Sequence, residues 1–207
     1  MEDIVYSVII SLLLTLIAGK LFIPLLRRLK LGQYVRDDGP KSHLKKAGTP
    51  TMGGIIFLIP LCITSLLLAK KSLDFVVVAV LVTVGFGAIG FIDDYIKIGM
   101  ERSMGLRAYQ KIIGQIIIAV MFAVFAYRHP DIGSSIYIPF TDGEWDLGIW
   151  YIPFIVFVMI GTVNSTNLTD GLDGLASGVT LIVASTFSVI AAFASNKVYD
   201  EGLAYVS

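Results

Sequence analysis

The sequence contains few cysteines and few charged residues, and these shortages exclude several classes of protein. Cys62 is the only cysteine and lies inside an apolar run, so neither a disulfide framework nor a cysteine-based zinc site is available. Charged residues make up only 15% of the chain, too few to cover a soluble globule with polar surface. The formal net charge of +0 excludes a broadly basic nucleic-acid-binding protein.

Apolar residues dominate the 207-residue chain instead. Hydrophobic residues account for 56% of the sequence, and the mean hydropathy is +0.80, so the sequence predicts an integral membrane protein. A transmembrane helix needs about 20 apolar residues. Six runs approach the required length: 4–26, 52–69, 75–92, 109–127, 147–168 and 175–195. The first of these runs lacks a basic lead-in and a small-residue cleavage pattern, which indicates a retained helix and not a signal peptide.

These runs are predicted to be helices because an irregular backbone facing lipid would leave its amides unpaired. The expected fold is therefore an all-α integral membrane protein with six transmembrane helices in one polytopic domain, residues 1–207. Gly85, Gly87 and Gly90 fall within the third run, where the absence of a side chain would let a neighbouring helix approach closely.

Lysine and arginine are concentrated in two connections, 27–46 and 97–111. The positive-inside rule places both connections in the cytoplasm and the N-terminus outside. The connection 131–146 then lies outside; its alternating residues and the Asp142-Gly143 turn dipeptide predict a short extracytoplasmic β-hairpin, for which we expect no function.

Asp93 and Asp94 end the third run, on the predicted cytoplasmic side. A carboxylate beside hydrocarbon loses hydration worth several kcal/mol, so acidic residues at such a position usually face water or serve a function. Adjacent helical residues point about 100° apart, so the two carboxylates cannot hold one ion in the same way, whereas Asp94 and Lys97 share a face. The alternative is that these charges simply end the helix at the interface.

A polar octapeptide, residues 167–174, separates the fifth and sixth runs. Asn167, Asp170 and Asp173 recur every third residue and would line one face of a helix. Gly171 and Gly174 instead favour a loop or a broken helix end, which is tolerated at membrane depth where it lines a cavity. Helix capping alone would explain one aspartate and one glycine, but not two of each, so we favour a functional site.

The first cytoplasmic connection places Lys46 and Thr51 just before a predicted helix start. A helix N-terminus offers free amides and a positive dipole end, and a lysine adds a point charge; together these suit a phosphate group. The alternative is that the lysine only sets membrane topology and the threonine only starts the helix.

Three ordered motifs, at residues 48–54, 91–97 and 167–176, closely resemble those of the bacterial phospho-N-acetylmuramoyl-pentapeptide transferases. This family belongs to the polyprenyl-phosphate N-acetylhexosamine phosphate transferase superfamily. The resemblance covers the larger, N-terminal part of the family. By that resemblance, further helices, another aspartate usually assigned to magnesium and a histidine-rich loop would lie beyond Ser207. We therefore expect this chain to be incomplete at its C-terminus and inactive by itself.

The resemblance implies a Mg²⁺-dependent transfer of phospho-N-acetylmuramoyl-pentapeptide from its UDP conjugate to undecaprenyl phosphate, with release of UMP. It further implies peptidoglycan synthesis at the bacterial cytoplasmic membrane, contact with membrane lipid, no nucleic acid, and a homodimer. Asp93 and Asp94 match the catalytic positions, and either could assist with the metal ion. The residues implied to bind substrate are Lys46, Thr51, Lys97, Lys111, Asn167, Asp170 and Asp173.

Three other functions share some of these sequence features. CDP-alcohol phosphotransferases have an Asp-Gly signature but continue with an arginine and two aspartates, and residues 175–195 carry no charge. In a transporter or scaffold the acidic groups would form an ion path, which would favour acidic residues inside several helices. The six apolar runs carry no acidic residue in their interiors. A superfamily enzyme that uses UDP-N-acetylglucosamine is the nearest alternative.

Overall fold

A computed structural model describes residues 2–28, 52–69, 73–100, 104–138, 143–170 and 174–204 of the chain. The chain divides into two compact units, residues 2–160 and residues 161–207, which are described separately. Among the predicted site residues, Lys46, Thr51 and Asp173 lie outside the described residues. Ser207, beyond which the family's main metal aspartate is expected, also lies outside them, so the metal site implied by the resemblance stays a prediction.

The described part of the chain is mostly helical, as the hydropathy pattern predicts. The helices have these bounds: α1 (Glu2–Arg28), α2 (Ile55–Leu68), α3 (Leu73–Gly99), α4 (Ala108–Arg128), α5 (Tyr151–Thr169) and α6 (Leu175–Ala204). Two short strands, β1 (Ser135–Tyr137) and β2 (Glu144–Asp146), and a 3₁₀ turn at Gly148–Trp150 lie between α4 and α5.

Five of the six predicted spans are confirmed as helices long and apolar enough to cross a membrane. Their bounds are Val5–Arg28, Leu73–Gly99, Ala108–Arg128, Gly148–Thr169 and Leu175–Phe193. The second predicted span corresponds to α2, which has only 14 residues. At a rise of 1.5 Å per residue, such a helix is about 21 Å long, against a hydrocarbon core of about 30 Å. The count of six spans therefore stays a prediction.

Helices α3 and α4 fit together through two reciprocal contacts between a glycine and an isoleucine. A Cβ atom added at Gly85 of α3 would lie 3.0 Å from Ile118 Cδ1 of α4, and one added at Gly114 of α4 would lie 3.1 Å from Ile89 Cδ1 of α3. Each pair is four residues from the other on both helices, one turn apart. The missing side chains let the two backbones approach closely, which is how membrane helices gain packing contacts.

The three glycines that were predicted to admit a neighbouring helix differ in what surrounds them. Gly85 faces α4, and a Cβ atom added at Gly87 would lie 2.9 Å from Leu58 Cδ1 of α2, so the prediction is confirmed for both. For Gly90 it is wrong within the described residues, because no atom lies within 4 Å of the added Cβ. Gly90 is exposed.

The predicted β-strands are confirmed as an antiparallel pair in which Ser135 lies opposite Asp146; the extracytoplasmic position of the hairpin stays a prediction. The Asp146 carboxylate holds the end of the hairpin, because its Oδ1 accepts hydrogen bonds from Ser134 Oγ at 2.6 Å and from the Gly148 amide at 2.9 Å. The Ser134 hydroxyl and the Gly148 amide lower the pKa of Asp146 from its ordinary value. Gly148 has a φ of +51°, a backbone conformation that favours glycine.

In the unit of residues 161–207, the octapeptide interrupts the helical structure. Helix α5 ends at Thr169 and α6 begins at Leu175. Gly174, directly before α6, has a φ of +83°, which a residue with a side chain adopts only with strain. Asp170 and Gly174 lie outside both helices, which fits an interruption of the helix; residues 171–173 lie outside the described part of the chain.

Candidate functional site

Three charged side chains meet near the C-terminal end of α3. Lys97 Nζ lies 2.7 Å from Asp93 Oδ2 and 2.9 Å from Asp94 Oδ1. Residues three and four apart are neighbours on a helix surface, so one lysine can reach both carboxylates. The predicted shared face of Asp94 and Lys97 is confirmed, and Lys97 contacts Asp93 as well.

Asp93 has a second partner on the segment that leads into α4. Its Oδ1 accepts a hydrogen bond from the Leu106 backbone amide at 2.8 Å. Both oxygens of Asp93 are therefore bound by donors of the protein, one by the Lys97 ammonium and the other by a backbone N–H. The Asp93 side chain is 14% exposed, against 31% for Asp94, so Asp94 is the more accessible carboxylate of the pair.

The shared lysine makes this arrangement electrostatically tolerable. Two adjacent carboxylates repel each other, and placing them at the end of an apolar helix removes part of their hydration. One ammonium within hydrogen-bonding distance of both offsets the repulsion and leaves the three side chains with a formal charge of −1. Such a group can neutralise or orient a charged ligand at the edge of a membrane.

Lys111 lies in the first turn of α4, close in sequence to the segment that contacts Asp93. The start of this helix is fixed by the Gln110 side chain, whose Oε1 accepts a hydrogen bond from the Arg107 amide at 3.0 Å. Lys111 is half-buried. The structure thus places Lys111 on the helix that begins beside Asp93.

The remaining described site residues belong to the unit of residues 161–207. Asn167 lies in the last turn of α5 and Asp170 directly follows the helix; both are exposed. Their positions at an interrupted helix end fit the sequence prediction. The structure brings Asp93, Asp94 and Lys97 into direct contact and places Asn167 and Asp170 in the other unit.

Sequence reasoning missed two contributors to the site: the Leu106 amide, which donates to Asp93, and Gly105, where an added Cβ atom would lie 2.7 Å from Asp93 Cγ. A backbone amide has no sequence signature, and Leu106 lies 13 residues from the carboxylate that it binds. Gly105 lies in the positively charged connection 97–111, but nothing in the sequence indicated that it would lie beside Asp93.

The described residues contain no group of three or more histidine, cysteine, aspartate or glutamate side chains that could hold a metal ion. A magnesium ion bound together with substrate phosphates needs only one or two protein carboxylates, since water and phosphate oxygens complete its coordination. The donors at Asp93 and Asp94 fit that type of site and do not fit an all-protein metal cage.

A cavity of about 530 Å³ lies among α1, α2 and α3, and none of the predicted site residues that the structure describes lines it. On α3 its lining runs from Val76 to Thr83, in the half of the helix away from Asp93. The walls are apolar side chains and small hydroxyl residues, so this cavity lacks the charges that a diphosphate would need.

Comparison with known proteins supplies the family. A family model described as glycosyl transferase family 4 matches residues 76–206, more than half of the chain. The matched range includes Asp93, Asp94 and Lys97 as well as Asn167 and Asp170. The chain belongs to glycosyl transferase family 4. A signature of the phospho-N-acetylmuramoyl-pentapeptide transferases also matches this family 4 chain at residues 46–58, which include Lys46 and Thr51.

Curated relatives of this family 4 chain carry the name phospho-N-acetylmuramoyl-pentapeptide-transferase. The chain is 49% identical to the protein from Clostridium kluyveri, over 96% of this chain and 62% of the relative. It is 48% identical to the protein from Desulfitobacterium hafniense, over 95% of this chain and 59% of the relative. It is 50% identical to the one from Clostridioides difficile, over 91% and 58%. The resemblance given by the three motifs is confirmed, and the chain spans about three fifths of the length of these relatives.

Proposed function

We propose that the chain is part of an enzyme that transfers phospho-N-acetylmuramoyl-pentapeptide from its UDP conjugate to undecaprenyl phosphate, releasing UMP. The observation that carries the proposal is the contact of Lys97 with both Asp93 and Asp94 at the end of a membrane helix. The relatives' shared name, at 48 to 50% identity, gives the transferred group. The same name favours the UDP conjugate of N-acetylmuramoyl-pentapeptide over UDP-N-acetylglucosamine as the substrate.

Joining two phosphates is mainly a problem of positioning anions and neutralising their charge, with little covalent work for the protein. In this proposal Asp93 and Asp94 activate the lipid phosphate or help to hold the cation, and Lys97 and Lys111 contribute positive charge. The nucleotide side is formed by the remaining predicted residues: Lys46, Thr51, Asn167, Asp170 and Asp173.

Magnesium is proposed as the cofactor, held with the substrate by Asp93 or Asp94. When bound, it would neutralise the diphosphate and polarise its oxygens. We further propose a homodimer in the bacterial cytoplasmic membrane, with the N-terminus outside and the site on the cytoplasmic face, where positive charge is concentrated.

The test replaces each aspartate by its neutral isostere in the full-length product of the gene that encodes this chain. Asp93→Asn and Asp94→Asn should each reduce UMP release by at least about 10²-fold, the range found when one preorganised electrostatic group is removed. Membrane insertion of both variants, measured by cell fractionation, should persist. Asp74→Asn is the matched control, because Asp74 lies in the first turn at the other end of the same helix.

Wild-type UMP release in both Asp93→Asn and Asp94→Asn would refute the assignment of this cluster to catalysis. Release of UMP from UDP-N-acetylglucosamine in place of the muramoyl-pentapeptide conjugate would instead support the related transferase. Loss of activity in Asp74→Asn as well would show that any charge change in this helix disrupts the protein.

A further inference from the structure

We propose that the turn formed by Gly105 and Leu106 is a positioning element that fixes the Asp93 carboxylate. The inference rests on the proposed catalytic role of the Asp93 and Asp94 pair and adds two residues to it. Neither residue supplies a side-chain functional group, so each would act only through Asp93.

The first observation is the direction of the Leu106 amide. It donates to Asp93 Oδ1 at 2.8 Å, while Lys97 holds Oδ2 at 2.7 Å. A carboxylate bound at both oxygens from two different elements has little freedom to rotate about its side-chain bonds. The Leu106 amide lies in the connection, directly before Arg107, the N-cap residue of α4. The turn therefore sets the orientation of Asp93, which Lys97 alone, on a flexible stem, would leave variable.

The second observation is that only glycine fits at position 105. A Cβ atom added there would collide with the main-chain carbonyl oxygen of Asp93, and it would lie 2.5 Å from Oδ1 and 2.7 Å from Cγ of the same residue. Gly105 does not have the positive φ that marks Gly133, Gly148 and Gly174. Glycine is thus required at position 105 because Asp93 leaves no room for a side chain there, and not because of the backbone conformation of Gly105.

The third observation is that this turn belongs to a fixed framework. Helices α3 and α4 are held in register by the Gly85–Ile118 and Ile89–Gly114 contacts. The Arg107 amide that follows the turn is bound by Gln110. The position of Asp93 is therefore determined by how α3 and α4 pack, and the turn transmits that packing to the carboxylate. Displacements of about 1 Å at a reacting group can lower rates by about 10²-fold.

The experiment compares Gly105→Ala with Gly99→Ala in the full-length gene product. Both variants add one methyl group near the join between α3 and α4: Gly99 is the last residue of α3, and no atom lies within 4 Å of the Cβ added there. Gly105→Ala should lower kcat by about 10²-fold while the KM for the UDP conjugate stays close to that of Gly99→Ala. Its thermal unfolding midpoint should fall, because the added methyl group meets the Asp93 main chain. A kcat equal to that of Gly99→Ala would overturn the proposal, and so would a change confined to KM.

Hydrogen exchange tests the same contact without relying on activity. In Asp93→Ala the Leu106 amide loses its acceptor, so its exchange should accelerate at least about tenfold, since a hydrogen bond to a charged group contributes roughly 1.5 to 3 kcal/mol. Asp94→Ala is the control and should leave Leu106 exchange unchanged. Unchanged Leu106 exchange in Asp93→Ala would overturn the proposal even if Gly105→Ala failed to fold.

The two proposals fail in different ways. Full activity in Asp93→Asn and Asp94→Asn would remove the catalytic role of the pair, whatever the exchange data show. Loss of activity in Asp93→Asn combined with wild-type kcat in Gly105→Ala would remove only the positioning role of the turn.

Discussion

At the scale of single residues, the site depends on one lysine that serves two carboxylates. Lys97 is 35% exposed, so its ion pairs lie between fully exposed pairs, which contribute about 0–1 kcal/mol, and buried ones, which are strongly destabilising to break. Its larger effect should be on function. Without the ammonium, Asp93 and Asp94 would repel each other and any approaching phosphate.

Lys97→Met keeps the length of the side chain and removes its charge. We expect the free energy of unfolding to fall by about 1–2 kcal/mol and UMP release to fall by at least about 10²-fold. Both are measurable in detergent-solubilised full-length protein, by thermal unfolding and by a UMP assay. Lys20→Met is the control, since Lys20 is an exposed lysine on another helix, α1. Activity above half of wild type in Lys97→Met would show that the cluster does not need the Lys97 ammonium.

At the scale of elements, glycine positions decide how the helices pack. Gly85 and Gly90 are indistinguishable in sequence terms, since both lie within the same apolar run. Only Gly85 receives a neighbouring side chain, that of Ile118, whereas nothing lies within 4 Å of the Cβ added at Gly90. The energetic consequence of filling the two positions should therefore differ.

Gly85→Val should destabilise the protein by about 1–3 kcal/mol, because overpacking a close helix contact forces side chains or backbones to shift. Gly90→Val, on the same helix, should be close to neutral. The comparison uses the midpoint of thermal unfolding in the same detergent. Equal midpoints for the two variants would contradict the close approach of α3 and α4 at Gly85.

At the scale of the whole molecule, the membrane topology depends on whether α2, the shortest apolar helix described, crosses the membrane. The basic residues after α1 and those after α3 both belong to connections that the positive-inside rule places in the cytoplasm. Both can lie there only if α2 crosses the membrane. Its 14 residues are fewer than the usual 17–25 of a transmembrane helix, so a crossing would require local bilayer thinning or a contribution from flanking residues.

Cysteine labelling tests this topology, using Cys62→Ala as the background. If α3 and α4 each cross the membrane, positions 42 and 135 lie on opposite sides only when α2 also crosses. We expect Ser135→Cys, in the hairpin, to react with a membrane-impermeant maleimide in intact cells. Ser42→Cys should react only after permeabilisation. Reaction of both from the outside, or of neither, would show that α2 does not span.

The sequence by itself determined the membrane class, the order of the helices, the hairpin and the motifs that carry the family. These properties are read along the chain: hydropathy sums over adjacent residues, and the pairing of Asp94 with Lys97 follows from helical spacing. It could not indicate that Leu106 binds Asp93, or that Gly105 and Gly85 are crowded while Gly90 and Gly99 are open. Those contacts depend on where a turn and a second helix lie in space, because a hydrogen bond or a steric clash is set by distance and direction between residues that are remote in sequence.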